Sequence, residues 1–329
     1  MLNDMKDTTW MIGFDLGGTK MICALVDSKG TIVLRKREKT PSEKGGKAVS
    51  QAIIDLIKDV LVEGAVEPSA LIGIGVAVPG IIDRDRGTVS LTNIELEDYP
   101  LRDELKDEFG CPVVVDNDVN AGTWAEYCQL KPGKYRHVVG VFVGTGIGGA
   151  IIINGALYNG ATGNAGEIGH MIIMDGGPLC GCGQHGCLEA FASRTAMAKD
   201  AVVAAAQGRI PQLSDKTGSD IKKFKSSVFE KGMEKGLKPI ENIVSRAAYH
   251  LGLGLANLAM ILNPDAFIIS GGFANRLGNK YLEMVSKTMK EKSMKHIGTS
   301  VHLLLGALGD DAVPLGAALL ARDALKGIN

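Results

Sequence analysis

The chain has 329 residues, enough for two domains that each bury a core. Its 36 Lys and Arg nearly balance 37 Asp and Glu, which leaves no basic footprint for nucleic acid and no charged face for an anionic membrane. No uncharged apolar run reaches the roughly 18 residues of a membrane span, and the opening MLNDMKDTTW has no apolar leader core, which predicts a cytoplasmic protein.

Residues 10–16 (WMIGFDL) form a short apolar strand that ends at an aspartate, Gly17-Gly18-Thr19-Lys20 makes a turn, and MICALVD (21–27) runs back as a second strand. A second turn, Asp27 to Gly30, leads to a third strand, TIVLRKREK. Over 47–63 the apolar period changes: Val49, Ile53, Leu56, Ile57 and Val60 share one helical face. A buried-type strand, LIGIGVAV, a Val78-Pro79-Gly80 break, a short helix near 101–109 and the strand PVVVDN follow. This order predicts an α/β domain with a mixed sheet. HVVGVFVGTGIGGAIIING (137–155) then repeats the strand, glycine turn, strand pattern, which suggests duplicated domains facing one another. Residues 190–206 are predicted helical, 207–236 polar and mobile. A long helix over about 240–262 stops at Asn263-Pro264. Strand AFIIS, the Gly271-Gly272 turn, a helix, strand SVHLLLG and a closing helix from about 313 complete the chain.

Gly144-Thr145-Gly146-Ile147-Gly148-Gly149 matches G-x-G-x-x-G, but β-branched AIII follows where a dinucleotide site needs a helix N-terminus. No Walker-type loop occurs. Two strand–turn–strand loops remain whose backbone N–H groups can cradle phosphate. In the first, Asp15 is placed to hold a hydrated Mg²⁺ while Thr19 and Lys20 donate to phosphate; ligand-free hairpin turns are the plain alternative for each loop alone.

Three of the six cysteines, Cys180, Cys182 and Cys187, lie within eight residues, and His170 lies ten residues upstream of the first. Three thiolates and an imidazole fill a closed tetrahedral zinc site with no place for an activated water, so the metal is expected to be structural. A disulfide or three unlinked buried thiols are the alternatives. One residue between Cys180 and Cys182 suits a mutual disulfide poorly, and clustered cysteines in a reducing compartment are more often metal-binding or catalytic. Glu167 and Glu189 flank the ligands, where a metal clip would fix them near the imidazole; by composition both would be solvated acids. Cys23, Cys111 and Cys128 are expected to be buried apolar fillers.

DLGGTK at 15–20, VPG at 78–80, DND at 116–118, GTGIGG at 144–149, GNAGEIGH at 163–170, CGCGQHGCLE at 180–189, SGG at 270–272 and LGDDAVPLGAA at 308–318 stand in order. This resembles the ROK family of bacterial sugar kinases and related repressors, the glucokinase branch best, from about Ile12 onward. The resemblance implies a two-domain actin-like ATPase (ribonuclease H-like) α/β fold with a structural zinc loop and a cleft between domains for ATP and sugar. It divides the chain into a small domain, 1–118, joined by the closing helix at 313–329, and a large domain, 119–312, carrying the zinc loop. It further implies ATP-dependent phosphorylation of a hexose, glucose at its 6-hydroxyl first, with Asp118 as general base and ATP used with Mg²⁺.

Without that resemblance Asp118 is weighed against an ordinary helix N-cap, since VNAGTWAEY follows. By resemblance Gly80, Asn93, Asn117, Asp118, Glu167, His170 and Glu189 face the sugar. Asp15, Gly17, Gly18, Thr19, Lys20, Gly144, Thr145 and Gly146 face the phosphates, with Gly271 and Gly272 on the nucleoside side. Family members often carry an aromatic residue shortly after the counterpart of Asn93, where this chain has NIELEDYP, so fructose, mannose and N-acetylmannosamine stay open as substrates. A sugar-responsive repressor is the rival; such proteins carry an added helix-turn-helix, and here about nine residues precede the first strand. The family usually forms homodimers or homotetramers.

Overall fold

The computed structural model describes residues 9–91, 94, 96–210 and 220–327, the side chain of Lys222 excepted. It divides into two compact units: residues 1–132, 156–165 and 310–329 in the first, and 133–155 and 166–309 in the second.

In the first unit, β1 (Trp10–Leu16), β2 (Lys20–Asp27) and β3 (Ile32–Lys39) form an antiparallel meander. Helix α1 (Gly46–Glu63) buries Val49, Ile53, Leu56, Ile57 and Val60, the face read from the helical period. β4 (Leu71–Val78) then pairs parallel with β1. Three short strands, β5 (Ile81–Asp83), β6 (Thr88–Leu91) and β7 (Leu96–Tyr99), form a small antiparallel sheet that the sequence reading did not anticipate. They are only three or four residues long, and β5 and β7 carry acidic residues, so no sustained alternating stripe marks them. Helix α2 (Leu101–Phe109) leads to β8 (Val113–Asn117), which pairs parallel with β4, and α3 (Asp118–Cys128) follows without a loop. The large sheet therefore runs β3-β2-β1-β4-β8.

In chain order β9 (Val138–Val143), β10 (Ile147–Ile153) and a two-residue strand β11 (Ala156–Leu157) come next. The second unit continues with α4 (Leu188–Ala192) and α5 (Arg194–Ala206), separated at Ser193, whose hydroxyl accepts from Ala196 N–H and caps α5. Within 220–236, read from sequence as polar and mobile, the structure has helix α6 (Ser226–Glu234) with Phe224 and Phe229 fully buried in the core. Two aromatic anchors outweigh the Lys and Gly around them; residues 211–219 lie outside the described residues. Helix α7 (Lys238–Leu262) ends at Asn263 in the left-handed conformation, a cap that asparagine tolerates, and Pro264 keeps that residue from continuing the helix. β12 (Ala266–Ser270), α8 (Ala274–Lys292), α9 (Lys295–Ser300) and β13 (His302–Leu305) complete it. β9 pairs antiparallel with β10 and parallel with β12, and β12 parallel with β13. The α/β class with mixed sheets is as expected.

The C-terminal helix α10 (Ala312–Leu325) belongs to the first unit and lies almost in backbone contact with its sheet. A Cβ at Gly13 would lie 1.8 Å from Pro314 O, one at Gly75 1.8 Å from Ala317 O, and one at Gly316 1.7 Å from Ala121 O. Only glycine allows that approach. Trp124 of α3 donates its indole N–H to buried Asp323 at 3.0 Å, tying the two helices together. Cys23 and Cys111 are buried as expected. Cys128 is exposed, because it is the last residue of α3 and the apolar face of that helix ends before it.

Candidate functional site

The register of the first sheet aligns Asp15 of β1 with Ala77 of β4, and Ala77 with Asp116 of β8. The parallel strands thus deliver the Leu16–Lys20 turn, Val78-Pro79-Gly80 and Asn117-Asp118 to one edge, the carboxyl edge at which open α/β sheets carry their ligands. Gly17 N–H bonds to Lys20 O at 3.0 Å, and the Thr40 hydroxyl donates to Gly17 O at 2.6 Å, so the turn is braced from behind. Thr19 and Lys20 are exposed, and nothing stands within 4 Å of a Cβ at Gly18. Lys20 Nζ lies 3.5 Å from Asp310 Oδ2, which Arg37 also meets at 2.5 Å. Against its own desolvation, those two cations hold Asp310 below the usual carboxylate range. Burial first, then the negative charge of Asp118, pushes Asp15 up to about 7, Asp310 adding to the rise while Lys20 and Arg37 oppose it. The two carboxylates that sequence placed 103 positions apart therefore feel one another.

The cap of α3 is Asn117, not Asp118. Its side-chain oxygen accepts from Val119 N–H at 2.8 Å and Asn120 N–H at 3.3 Å, while Asp118 is the first helical residue and its Oδ1 accepts from Val119 N–H at 2.9 Å. Behind them Asp116 Oδ1 receives Asn117 N–H at 2.6 Å and the Asn120 amide at 2.9 Å. At Gly80 a Cβ would lie 2.4 Å from Leu91. Asn93 lies outside the described residues.

In the second unit a strand follows the Gly144–Gly146 turn, which is why the G-x-G-x-x-G match carries no dinucleotide site. This turn has no charged residue, and its partners come from far along the chain. Arg194 Nη2 donates to Thr145 Oγ1 at 2.7 Å, Thr195 Oγ1 to Thr145 O at 2.7 Å, and Arg194 N–H to Gly144 O at 3.0 Å. Glu189 Oε2 accepts from Ile147 N–H at 2.8 Å, and a Cβ at Gly146 would lie 2.2 Å from that oxygen. Glu189 is thus half-buried against the turn rather than solvated. Gly271, at φ +94°, packs over Val143, and Phe273 N–H bonds to Val143 O at 3.0 Å, so the Gly271-Gly272 pair adjoins the same turn. Arg194 and Thr195 escaped the sequence reading; an ordinary α-helix start gave no signal.

The four metal-ligating atoms of His170, Cys180, Cys182 and Cys187 lie within 4.8 Å of one another. Cys180 Sγ is 3.6 Å from His170 Nδ1 and Cys182 Sγ 3.7 Å from Cys187 Sγ. A tetrahedron with metal–sulfur bonds of about 2.3 Å has edges of about 3.7 Å. The knuckle closes through Cys180 N–H to Gln184 O at 2.8 Å and Gly183 N–H to Cys180 O at 3.1 Å. Gly186, at φ +82°, is required because a Cβ there would lie 1.8 Å from Met174 O. Burial, then the neighbouring thiols, pushes Cys187 up to about 12, and backbone N–H donation at Gln184 lowers Cys182. Four such donors fit a cation that would take up the thiolate charge. The other imidazole nitrogen, His170 Nε2, faces Glu167 at 4.0 Å, and Cys180 Sγ lies 3.7 Å from Glu189 Oε1.

The ROK family model matches residues 11–324. A glucokinase of Halalkalibacterium halodurans is 33% identical over 318 residues, 95% of each chain. A xylose repressor of Caldicellulosiruptor bescii is 30% identical over 330 residues, 99% of this chain and 82% of the repressor. A ROK family glucokinase from Streptomyces griseus, solved in complex with glucose and AMPPNP, is similar in structure with a TM-score of 0.82 at 30% identity, over 95% of this chain and 99% of that one.

Proposed function

The chain belongs to the ROK family, and on that premise we propose that it is an ATP-dependent hexose kinase whose first substrate is glucose, phosphorylated at the 6-hydroxyl. The observation that carries the reading is the pairing of Asp118 with the Asp15–Lys20 turn at one sheet edge, where the charge of Asp118 reaches the Asp15 carboxyl. Phosphoryl transfer asks little covalent chemistry of a protein; it needs positioning, charge stabilisation and one proton acceptor.

In this reading Asp118 takes the proton of the sugar hydroxyl as it attacks the γ-phosphate. Asn117 holds the start of α3 by its cap, so the acid beside it has a fixed backbone. Thr19, Lys20, Thr145 and the backbone N–H groups of Gly17, Gly18, Gly144 and Gly146 would meet ATP phosphates, with Gly271 and Gly272 toward the nucleoside. Lys20 would exchange its contact with Asp310 for phosphate oxygen. Asp15 would hold the water shell of a nucleotide-bound Mg²⁺, which would supply charge neutralisation. Gly80, Asn93, Glu167, His170 and Glu189 would orient the sugar. A structural Zn²⁺ on His170 Nδ1 and the three sulfurs would fix the imidazole and leave Nε2 for a sugar hydroxyl.

Two other readings have support. The departure after Asn93 leaves fructose, mannose and N-acetylmannosamine open beside glucose, and the repressor likeness is the ground for a sugar-responsive repressor that binds sugar without turnover. No helix among the described residues is long and apolar enough to cross a membrane; a cytoplasmic homodimer or homotetramer is the proposed setting. The test is a coupled ADP-release assay over a panel of hexoses. Saturable glucose-dependent release establishes the kinase, release with another hexose moves the substrate, and sugar binding without release establishes the sensor.

A further inference from the structure

Arg84 stands in the turn between β5 and β6, in none of the motifs above, yet its guanidinium reaches two segments that matter. Nη2 donates to Asp116 Oδ1 at 2.5 Å and Nη1 to Gly163 O at 2.7 Å. The same Asp116 oxygen receives Asn117 N–H and the Asn120 amide, so Arg84 completes the set of donors that fixes the β8–α3 junction. Arg102 in turn donates to the carbonyls of Arg84, Asp85 and Arg86 at 3.1–3.2 Å and holds the turn that presents Arg84. Gly163, at φ +80°, is shaped to the contact, since a Cβ there would lie 2.4 Å from Arg84 Nη1. Arg84 Nε is meanwhile buried without a partner.

We infer that Arg84, acting through Asp116, is a positioning residue for the Asn117-Asp118 pair, and that its second contact locks the 159–165 loop to the same carboxylate. The inference rests on the kinase reading with Asp118 as base. The forked guanidinium suits the task, because one planar group meets two acceptors at a fixed angle where an ammonium has no such fork. Loss of the lock lets the carboxylate of Asp118 drift, and displacement of a reacting group by about 1 Å is worth on the order of 10²-fold in rate.

The experiment compares wild type, Arg84→Ala, Arg84→Lys and Gly163→Ala in steady-state kinetics with the preferred hexose. Arg84→Ala is expected to lower kcat roughly 10- to 100-fold while KM for ATP stays within about twofold. Arg84→Lys restores only part of the loss. Arg84 lines two surface pockets, one with Asp83 and Gly163 and one with Arg102 and Val115. Guanidinium ion at low millimolar concentration is therefore expected to raise kcat of Arg84→Ala while leaving wild type unchanged. Wild-type kcat in folded Arg84→Ala, or a loss spread equally over kcat and KM for ATP with no rescue, overturns the inference. Should Arg84→Ala not fold, Arg84→Lys decides by the same split. Wild-type protein that releases no ADP with any hexose overturns the kinase reading instead. Hydrogen exchange then decides the positioning role: faster exchange at the Asn117 and Val119 amides in Arg84→Lys, with β1 and β4 unchanged, supports it, and unchanged exchange overturns it.

Discussion

The two glycine turns look alike in sequence and are built in opposite ways. The Asp15–Lys20 turn carries its own chemistry: an acid at its start, a hydroxyl and an ammonium at its end, and a charge neighbourhood of Asp118, Asp310 and Arg37. The Gly144–Gly146 turn carries none, and takes its charged partners from Glu189 and Arg194, more than 40 residues on. A turn that holds charge must be poised against its neighbours, so its properties show in a displaced pKa. A neutral turn need only be held still, and its properties show in hydrogen bonds from behind. If both receive phosphate, the first supplies the field and the second the shape.

The sharpest way to break the comparison is to remove charge from the first side. Asp118→Asn is expected to lower kcat by about 10²–10⁴-fold with hexose binding retained, since the amide can still hydrogen-bond; paired turnover and calorimetric binding check it, and near-normal turnover removes Asp118 from the role of base. Next in size is the cost of Asp15. Its carboxyl is raised from 3.8 to about 7 in the folded chain, so between those values the folded state keeps a proton that the unfolded state has lost. Its contribution is therefore full below about pH 4 and is lost as pH rises through 7. Asp15→Asn is expected to stabilise the ligand-free protein at pH 8, by on the order of 4 kcal/mol at most, with the gain vanishing toward pH 4. Denaturant titrations at the two pH values read this directly, and a gain independent of pH would mean that Asp15 is not the titrating group.

The second side is probed through the metal loop. Stripping the proposed zinc from folded protein, or Cys182→Ala, is expected to raise KM for hexose roughly 10- to 100-fold through a loosened His170 and Glu167. From sequence the ATP side would be nearly untouched. Glu189, however, has one oxygen near Cys180 and the other on Ile147 N–H, so a smaller rise in KM for ATP is expected as well. Elemental analysis giving one zinc per untreated chain is the necessary companion, and unchanged hexose affinity in metal-free protein leaves the site a staple only. Smallest is Glu189→Gln, which keeps shape but weakens the bond to Ile147 N–H; KM for ATP is expected to rise about tenfold or less, the worth of one charge-assisted hydrogen bond.

What could be read in advance follows the same division. Strands with long apolar runs, such as Leu71–Val78 and Ala266–Ser270, and helices with a clean face, such as α1, were legible because burial leaves a period in the sequence. The Cys and His cluster was legible because thiols at that spacing have few other uses. Strands β5 to β7 left no period, and the buried pair Phe224 and Phe229 stood inside a stretch whose composition points to solvent. That Asn117 rather than Asp118 caps α3 needed coordinates, since either residue type caps a helix. Arg84, Glu189 and Arg194 act across 32 to 79 positions, and nothing local announces such partners.

The near-contact of α10 with the sheet of the first unit has a consequence for the order in which the protein is born. Gly13 and Gly75 are shaped for Pro314 and Ala317, which the ribosome adds some 240–300 residues later. At about 5–20 residues per second, the first sheet waits roughly 10–60 s with an open groove, while the second unit has its strands and helices in hand before α10 emerges. The half of the chain made first is the half completed last. A chaperone that shields the vacant groove of the nascent sheet, or a synonymous slow codon run near 309, would act on this interval rather than on the finished fold.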